Sequence, residues 1–336
     1  MPFPALYRIT ILPSLGGVNT IAERLNDHGQ VVGRIYDHGY DRPFLWDRTY
    51  GIQDLGFPGV GLRINNAGQI AGTMRTDAGI PQAFLWEPGE GVTMLGTLGG
   101  KASSVNAINN RGQIVGESTS ADGSSHAFLW ERETGMTELN APDGSRYVPR
   151  NITDAGQILV MQIKPSQVQP PPWFLLDPNG PMPLGALPQD TWPHSVNAHS
   201  CMGGIEFSRR SRAYLHLRDE HGTWKRLFPM NNEGEATRLN DRNQIAYTEL
   251  ARDRWKPLRG RLPRWLVRPR RSSYPMESYL WDPVRGRIPL DRYLKGITGF
   301  LVADLNNNGC IVGTGNREDG SRCSVLLEPI PERWGK

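Results

Sequence analysis

The amino-acid sequence predicts an all-β protein: a single seven-bladed β-propeller over residues 1–336, with four antiparallel strands in each blade. Three observations predict this fold. A nine-residue pattern recurs seven times, two further patterns follow it in a constant order, and the chain starts and stops partway through a repeat. Repeats of about 40–45 residues that each hold four short strands are typical of propeller blades.

The nine-residue pattern places an Asn- or Asp-rich turn between two short apolar segments. Asn tolerates left-handed backbone and Gly supplies positive φ, so each copy predicts a tight turn between two strands. Successive copies start 39, 44, 44, 44, 43 and 66 residues apart, so the sixth unit contains an insertion. The copies are LNDHGQVVG (25–33), INNAGQIAG (64–72), INNRGQIVG (108–116), ITDAGQILV (152–160), VNAHSCMGG (196–204), LNDRNQIAY (239–247) and LNNNGCIVG (305–313).

An aromatic segment follows each turn and predicts the third strand of the blade, since aromatic residues are enriched in strands. A third pattern, such as IQDLG at 52–56 or VTMLG at 92–96, closes most units and predicts the fourth strand. The aromatic segments are PFLW (43–46), AFLW (83–86), AFLW (127–130), WFLL (173–176), AYLH (213–216), SYLW (278–281) and SVLL (324–327).

The two ends of the chain predict how the ring closes. YRITIL at 7–12 aligns with the fourth strand of a unit, and SLGG at 14–17 matches TLGG at 97–100, where the glycines are expected to form a tight loop between blades. The seventh unit stops after its third strand, SVLL at 324–327. The N-terminal strand is therefore predicted to complete the seventh blade, which would leave no open sheet edge there.

The composition fits a polar-surfaced β protein and excludes several other classes. Hydrophobic residues make up 38%, and 38 Gly and 27 Pro provide many turns. No stretch approaches the roughly 20 apolar residues of a spanning helix, and the N-terminus shows no secretory signal. Three cysteines are too few for a disulfide framework, so free thiols are expected, although a Cys310–Cys323 pair is geometrically conceivable. We expect a cytoplasmic monomer without cofactor or metal.

The linked strings INNRGQIVG, AFLW and LGTLGG resemble the HAF repeat proteins, a bacterial family described as probable extracellular repeats. The namesake triplet occurs once, as His126-Ala127-Phe128, and the resemblance covers nearly the whole chain. It implies a propeller-like fold and, as an alternative to the cytoplasm, an extracellular location. It implies little chemistry, and the chain departs from the family in its missing export signal and in a basic insertion.

That insertion occupies residues 250–273 in the sixth unit, between its second and third strands. Residues 252–271 contain nine Lys or Arg and one acid, Asp253, which is +8, so the rest of the +4 chain carries −4. The segment is predicted to bind a protein partner, nucleic acid or an anionic membrane surface; the alternative is a solvated loop. The residues singled out are Arg254, Trp255, Arg264, Trp265, Arg268, Arg270 and Arg271.

The innermost strand of each blade is predicted to line the central channel. Closure brings blades six, seven and one into succession, so Arg24, Arg63 and Arg238 are expected on one side of it with Asp304 nearby. This set predicts an anionic-ligand site, with a wet channel of mutually paired charges as the alternative. The residues two positions before the repeat Asn are Arg24, Arg63, Ala107, Asn151, Ser195, Arg238 and Asp304.

The leading functional hypothesis is a binding or scaffolding propeller without catalysis, which contacts its partner through the loop face that carries the basic insertion. It follows from regular repeats, the lack of a catalytic motif and one asymmetric charged segment. No residue is assigned a catalytic role. The alternative is an enzyme, a lyase or hydrolase that acts on an anionic or carbohydrate ligand at the channel mouth.

Overall fold

The computed structural model describes residues 6–15, 19–37, 40–164, 171–177, 180–184, 187, 191–208, 212–230, 235–250 and 276–334. These residues form seven four-stranded antiparallel sheets, each of which is one blade. The predicted seven-bladed propeller is therefore confirmed. Residues 251–275, which hold the singled-out residues of the basic insertion, lie outside the described residues.

The strands of the first four blades follow chain order, with the innermost strand first. Blade one contains β2 (Asn19–Leu25), β3 (Val31–Asp37), β4 (Tyr40–Asp47) and β5 (Gly51–Asp54). Blade two contains β6 (Val60–Ile64), β7 (Ile70–Arg75), β8 (Pro81–Glu87) and β9 (Gly91–Met94). Blade three contains β10 (Gly99–Ile108), β11 (Ile114–Ser120), β12 (Ser125–Glu131) and β13 (Gly135–Glu138). Blade four contains β14 (Arg146–Ile152), β15 (Ile158–Ile163), β16 (Trp173–Asp177) and β17 (Gly180–Pro183).

The remaining blades include the ring closure. Blade five contains β18 (Thr191–Val196), β19 (Met202–Ser208), β20 (Arg212–Arg218) and β21 (Trp224–Met230). Blade six contains β22 (Glu235–Leu239), β23 (Ile245–Leu250), β24 (Met276–Asp282) and β25 (Gly286–Pro289). Blade seven contains β26 (Ile297–Leu305), β27 (Ile311–Arg317), β28 (Arg322–Pro329) and the N-terminal β1 (Tyr7–Ile11). A 3₁₀ turn (Asp291–Tyr293) and a short helix, α1 (Pro331–Trp334), are the helical elements of the described part.

The N-terminal strand closes the ring as predicted. β1 pairs antiparallel with β28, with Tyr7 opposite Pro329 and Ile11 opposite Val325. Tyr7 is 3% exposed and packs among apolar residues of blades six and seven, including Leu280 and Val325. The first strand of the chain therefore completes the last blade and buries Tyr7 between blades.

The repeat turns adopt the predicted left-handed backbone in every unit. Gly29, Gly68 and Gly112 have φ near +77°, at 79°, 77° and 76°. The weaker fifth and sixth copies keep this conformation without glycine, because Ser200 and Asn243 have φ of 58° and 57°. Both the fourth and the fifth units form complete four-stranded blades, so the loss of pattern in their sequences does not remove a strand.

The last glycine of the clear repeats makes room for an aromatic ring. In blade three, Gly116 lies opposite Phe128, which is fully buried. A Cβ atom on Gly116 would approach the Ser104 carbonyl oxygen to 2.0 Å and the Phe128 ring to 2.7 Å. Gly33 with Phe44 has the same arrangement. This contact explains why the repeat pattern ends in glycine.

The TLGG segment differs from the prediction. Its glycines were expected to form a loop between blades, but Gly99 and Gly100 are the first residues of the innermost strand β10. A Cβ on Gly100 would lie 2.3 Å from the Thr119 hydroxyl oxygen. The glycines are thus needed for close approach of two strands as well as for the positive φ of Gly99, which is 96°.

The cysteines are free thiols, as expected. Cys323 lies opposite Gly315 and is buried, while Cys310 is half-buried and lies before β27. Burial raises the pKa of the Cys310 thiol to about 11, which keeps it protonated near neutral pH.

Two concentric sets of hydrogen bonds join the repeat turns around one end of the channel. In the first set, the side-chain Nδ2 of the repeat Asn donates to the main-chain carbonyl of the equivalent residue in the next blade, at 2.9–3.1 Å. We call this set the Asn ring. Its donors and acceptors are Asn26 to Asn65, Asn65 to Asn109, Asn109 to Thr153, Asn197 to Asn240, Asn240 to Asn306 and Asn306 to Asn26.

The second set uses the residue after the repeat Asn. Its main-chain N–H donates to the side-chain oxygen of the equivalent residue in the next blade, as in Asp27 to Asn66 and Asn307 to Asp27, both 2.8 Å. Six of the seven junctions between blades carry both bonds. The junction of blades four and five has a different link, from the Ser200 hydroxyl to Gln157, 3.0 Å. There Thr153 replaces the donor Asn and Ala198 offers no side-chain oxygen.

Candidate functional site

A one-residue bulge in each innermost strand directs side chains toward the channel. In blade one, Ala22 and Arg24 lie opposite Gly33 and Val32, so Glu23 is the extra residue. The same irregularity occurs in the innermost strands of the other six blades. A bulge turns neighbouring side chains away from strict alternation. Residues two and three positions before the repeat Asn can therefore both face the channel.

These positions line a cavity with a volume of about 390 Å³, which we call the arginine cavity. It extends along the innermost strands to Trp192, the second residue of β18. Its polar and aromatic lining residues are Arg24, Arg63, Asn106, Arg150, Asn151, Trp173, Trp192, His194, Ser195, Arg238 and Asp304.

The structure brings together all four channel residues singled out from the sequence. Arg24, Arg63, Arg238 and Asp304 line the arginine cavity. Arg238 Nε and Asp304 Oδ1 form an ion pair at 3.5 Å, and these side chains are 23% and 14% exposed. Asp304 Oδ2 also accepts a hydrogen bond from the Leu25 main-chain N–H, at 3.1 Å. Asp304 is thus held on two sides.

Main-chain carbonyls hold the arginines. Arg63 donates from Nε to the Asn106 carbonyl at 2.6 Å, and from Nη1 to the carbonyls of Gly61 and Leu62 at 3.1 and 3.0 Å. Arg238 Nε donates to the Ala303 carbonyl at 3.1 Å. Carbonyl oxygens fix the position of a guanidinium group without neutralising its charge.

The sequence prediction did not include the aromatic lining residues Trp173 and Trp192, nor three polar ones, Asn106, Arg150 and His194. These three polar residues share one position in the repeat. Each lies three positions before the repeat Asn or its replacement, whereas the prediction considered only the second position. Strict alternation along a strand directs these two positions to opposite faces. The third position is therefore expected to face the channel only when the bulge in the strand is known. A second scan of the repeat alignment at the third position would have shown Arg150 and His194.

The cavity is electropositive. Burial, followed by the nearby guanidinium groups of Arg24 and Arg238, lowers the pKa of Arg63 well below its usual range. Burial and Arg24 also lower the pKa of Arg238 to about 10, although Asp304 opposes this. Burial and the cations Arg238 and Arg150 lower the pKa of His194 to about 4. His194 is therefore neutral at pH 7, and the lining carries four guanidinium groups and one carboxylate.

An apolar layer separates this cavity from the Asn ring. The residue directly before the repeat Asn is aliphatic in all seven blades, and Ile64 and Ile108 border both the arginine cavity and a second cavity of about 240 Å³ at the ring. We call this layer the aliphatic collar. It consists of Leu25, Ile64, Ile108, Ile152, Val196, Leu239 and Leu305.

The described part of the chain lacks two other features, a metal centre and a membrane-spanning helix. No cluster of three or more His, Cys, Asp or Glu residues suitable for a metal occurs among the described residues. Within the same residues, no helix has the length and apolar character needed to cross a bilayer. The predicted contact residues Arg254, Trp255, Arg264, Trp265, Arg268, Arg270 and Arg271 lie outside the described residues.

Comparison with known proteins shows the fold alone. No family model matches the chain, and no curated protein does. Among solved structures, the β-propeller domain of the trilobed protease from Pyrococcus furiosus is similar, with a TM-score of 0.59, 9% identity, and coverage of 92% of this chain and 95% of that domain. The WD40 propeller domain of Doa1 has a TM-score of 0.52, 13% identity, and coverage of 98% and 100%.

Puromycin hydrolase is also similar, with a TM-score of 0.60 and 14% identity over 94% of this chain. The match covers 52% of that protein, so the chain spans about half its length. Identities this low carry the propeller fold and no activity.

Proposed function

We propose that this protein is a binding propeller that takes an anionic group into the arginine cavity. The observation that supports the proposal is the charge of the lining, in which four arginines face one carboxylate. Guanidinium groups bind carboxylate and phosphate oxygens through charge-assisted hydrogen bonds. Since peptidase-associated and WD40 propellers are both similar in fold, the proposal depends on the cavity and not on those likenesses.

The aliphatic collar favours entry from the opposite end of the channel. An ion that crossed the collar would lose its water against seven apolar side chains, which is costly. At the other end the innermost strands begin, as β22 does at Glu235, and β23 ends there at Leu250. The two described ends of the connection from β23 to β24, Leu250 and Met276, therefore lie on the side of ligand entry.

The basic insertion belongs to the same proposal, because it lies in that connection. The nine Lys and Arg of residues 252–271 would attract an acidic partner that presents an anionic group to the cavity. A cluster of positive charge near an entrance raises the association rate of anions. Deletion of residues 252–271 should lower the association rate of citrate in stopped-flow measurements and make that rate less dependent on salt concentration. An unchanged association rate would mean that the insertion has no part in anion binding.

Binding itself is tested by isothermal titration calorimetry with citrate and inorganic phosphate as probes. The wild-type protein should bind at least one probe saturably with 1:1 stoichiometry. Replacing Arg63 and Arg238 together by Gln should weaken binding at least about tenfold, because each substitution removes a charge-assisted hydrogen-bond donor.

The matched control is Arg75→Gln, which changes an exposed arginine whose Nη1 donates to the Gly79 carbonyl. This variant should bind like the wild type. Circular dichroism and thermal unfolding verify that each variant is folded. Absence of saturable binding by the wild type, or equal binding by the double variant, would contradict the proposal.

A further inference from the structure

We infer that the ligand of the arginine cavity is a small anion with at least two negative charges, as in a phosphate group or a di- or tricarboxylate. This inference rests on the proposed function and specifies its ligand. Three observations support it: the hydrogen bonds that hold the arginines, the net charge of the lining and the volume of the cavity.

Arg63 is held by neutral hydrogen-bond acceptors, although the carboxylates of Glu23 and Asp304 also act favourably on its charge. Its side chain donates three hydrogen bonds to main-chain carbonyls, those of Asn106, Gly61 and Leu62. Arg24 likewise donates to the carbonyl of Glu23, at 2.5 Å. These neutral acceptors orient the guanidinium groups in advance, so that little rotamer entropy is lost when an anion binds.

The charge of the lining sets the charge of the ligand. Four arginines and Asp304 leave a net charge of +3, since His194 is uncharged at neutral pH. One negative charge would leave two of these positive charges unbalanced in a partly buried site. Like charges that are desolvated together repel strongly, so affinity should rise with each added negative charge of the ligand.

The repulsion is present in the structure itself. Arg24 and Arg238 both act on Arg63 to disfavour its charged form, and Arg24 acts on Arg238 in the same way. All three guanidinium groups belong to the lining of the same cavity, where one ligand would meet their combined charge. Asp304 is engaged by Leu25 N–H and Arg238, so it offsets a part of this repulsion.

The cavity limits the ligand to a small molecule or a terminal group. A volume of about 390 Å³ is near the lower end of the roughly 300–1,000 Å³ typical of small-molecule sites. Trp192 and Trp173 form an edge-to-face pair in the wall, with ring centroids 6.2 Å apart. The site thus combines a polar, cationic side with an aromatic side, on which the carbon skeleton of a ligand can rest.

The test is a charge series measured by calorimetry at constant ionic strength and pH 7.5. The carboxylate arm uses butyrate, glutarate and tricarballylate, which differ in charge on a similar carbon skeleton. The phosphate arm uses dimethyl phosphate, methyl phosphate and pyrophosphate. In at least one arm the wild-type dissociation constant should fall by about tenfold or more for each added charge.

Variants of Arg63 test whether the dependence of affinity on ligand charge arises in the arginine cavity. Arg63→Gln should flatten the series, whereas Arg63→Lys should keep the dependence on ligand charge at weaker affinity, because a lysine retains the charge and loses the fixed fork. Arg75→Gln should leave the series unchanged. The wild-type series needs no variant, so the inference stays testable if Arg63→Gln does not fold.

The outcomes separate this inference from the proposed function. If monoanions bind as tightly as dianions and trianions of the same arm, the inference is wrong and the proposed function stands. If none of the six compounds binds, both are wrong. A charge dependence in one arm alone supports the inference and identifies the ligand as a carboxylate or a phosphate.

Discussion

Two layers of the channel, one on each side of the aliphatic collar, are built from the same repeat and differ in what they do. In the Asn ring, six of the seven units supply the same residue and the same hydrogen bond. Two positions earlier, the units supply Arg, Arg, Ala, Asn, Ser, Arg and Asp. The first layer holds neighbouring blades together. The second surrounds the arginine cavity, so the positions where the units agree build the ring and the positions where they differ create a site.

The largest effect is expected where the repeat has no room for change. Gly116→Ala places a methyl group 2.0 Å from the Ser104 carbonyl oxygen and 2.7 Å from the Phe128 ring. Overpacking of this kind between a main chain and a buried ring should cost more than about 3 kcal/mol in the free energy of unfolding, measured by urea denaturation.

The control for this substitution is Gly123→Ala, where no atom lies within 4 Å of the added Cβ but φ is +84°. It should cost only the left-handed penalty of about 1–2 kcal/mol. Equal losses at the two positions would refute the steric explanation for the last glycine of the repeat.

Removal of one member of the Asn ring should come next. Asn65 is buried, with 3% of its surface exposed. Its side-chain Nδ2 donates hydrogen bonds to the Asn109 carbonyl and to the Gln69 side chain. Its Oδ1 accepts hydrogen bonds from two main-chain N–H groups. Asn65→Ala leaves these groups buried without partners, which should cost about 3 kcal/mol. His28→Ala, at an exposed turn position where only the main-chain N–H is hydrogen-bonded, should cost less than about 1 kcal/mol in the same urea assay. Similar losses would mean that the ring adds nothing beyond turn formation.

A pH effect should distinguish the cavity from the ring. The pKa of His194 is about 4 in the folded protein, below the ordinary value of 6.5, because burial and the cations Arg238 and Arg150 disfavour its charged form. Between these values the unfolded chain binds more protons, so the stability contribution of His194 is complete above pH 6.5 and is lost as pH falls toward 4. The expected loss is about 2 kcal/mol.

The measurement compares urea unfolding of the wild type and His194→Asn at pH 4.5 and pH 7. The variant should lose less stability on acidification than the wild type. If both proteins show the same difference between the two pH values, the cavity does not hold His194 in its neutral form.

The smallest effect is a gain at the incomplete junction of blades four and five. Thr153→Asn should supply the missing Nδ2 donor to the Asn197 carbonyl, as at the other junctions. Ala198→Asn should supply a side-chain oxygen that accepts a hydrogen bond from the Asp154 main-chain N–H. Each new hydrogen bond should add about 1 kcal/mol to the free energy of unfolding. Thermal and urea unfolding of the single and double variants would measure the gain; a loss in both single variants would show that this junction has its own geometry.

Much of the fold could be predicted because each repeat contains the residues that its own turns and strands require. The Asn turns, the apolar and aromatic strands and the orphan strand Tyr7–Ile11 each follow from residue chemistry over a few positions. The same register placed Arg24, Arg63, Arg238 and Asp304 on the innermost strands, and these four residues line one cavity. Residues 252–271 were singled out by their positive charge and interleaved tryptophans, and their functional role stays a prediction.

The sequence by itself determined the number of blades, the closing strand and the positions that break the repeat, since these depend on patterns within one unit. Only the tertiary structure decided which side chains meet. The bulges brought Arg150 and His194 into the cavity, and ring closure gave the repeat Asn a partner in the next blade. The physical reason is that both contacts join residues about 40 or more positions apart, and the geometry that makes them appears only when the blades are packed around a common axis.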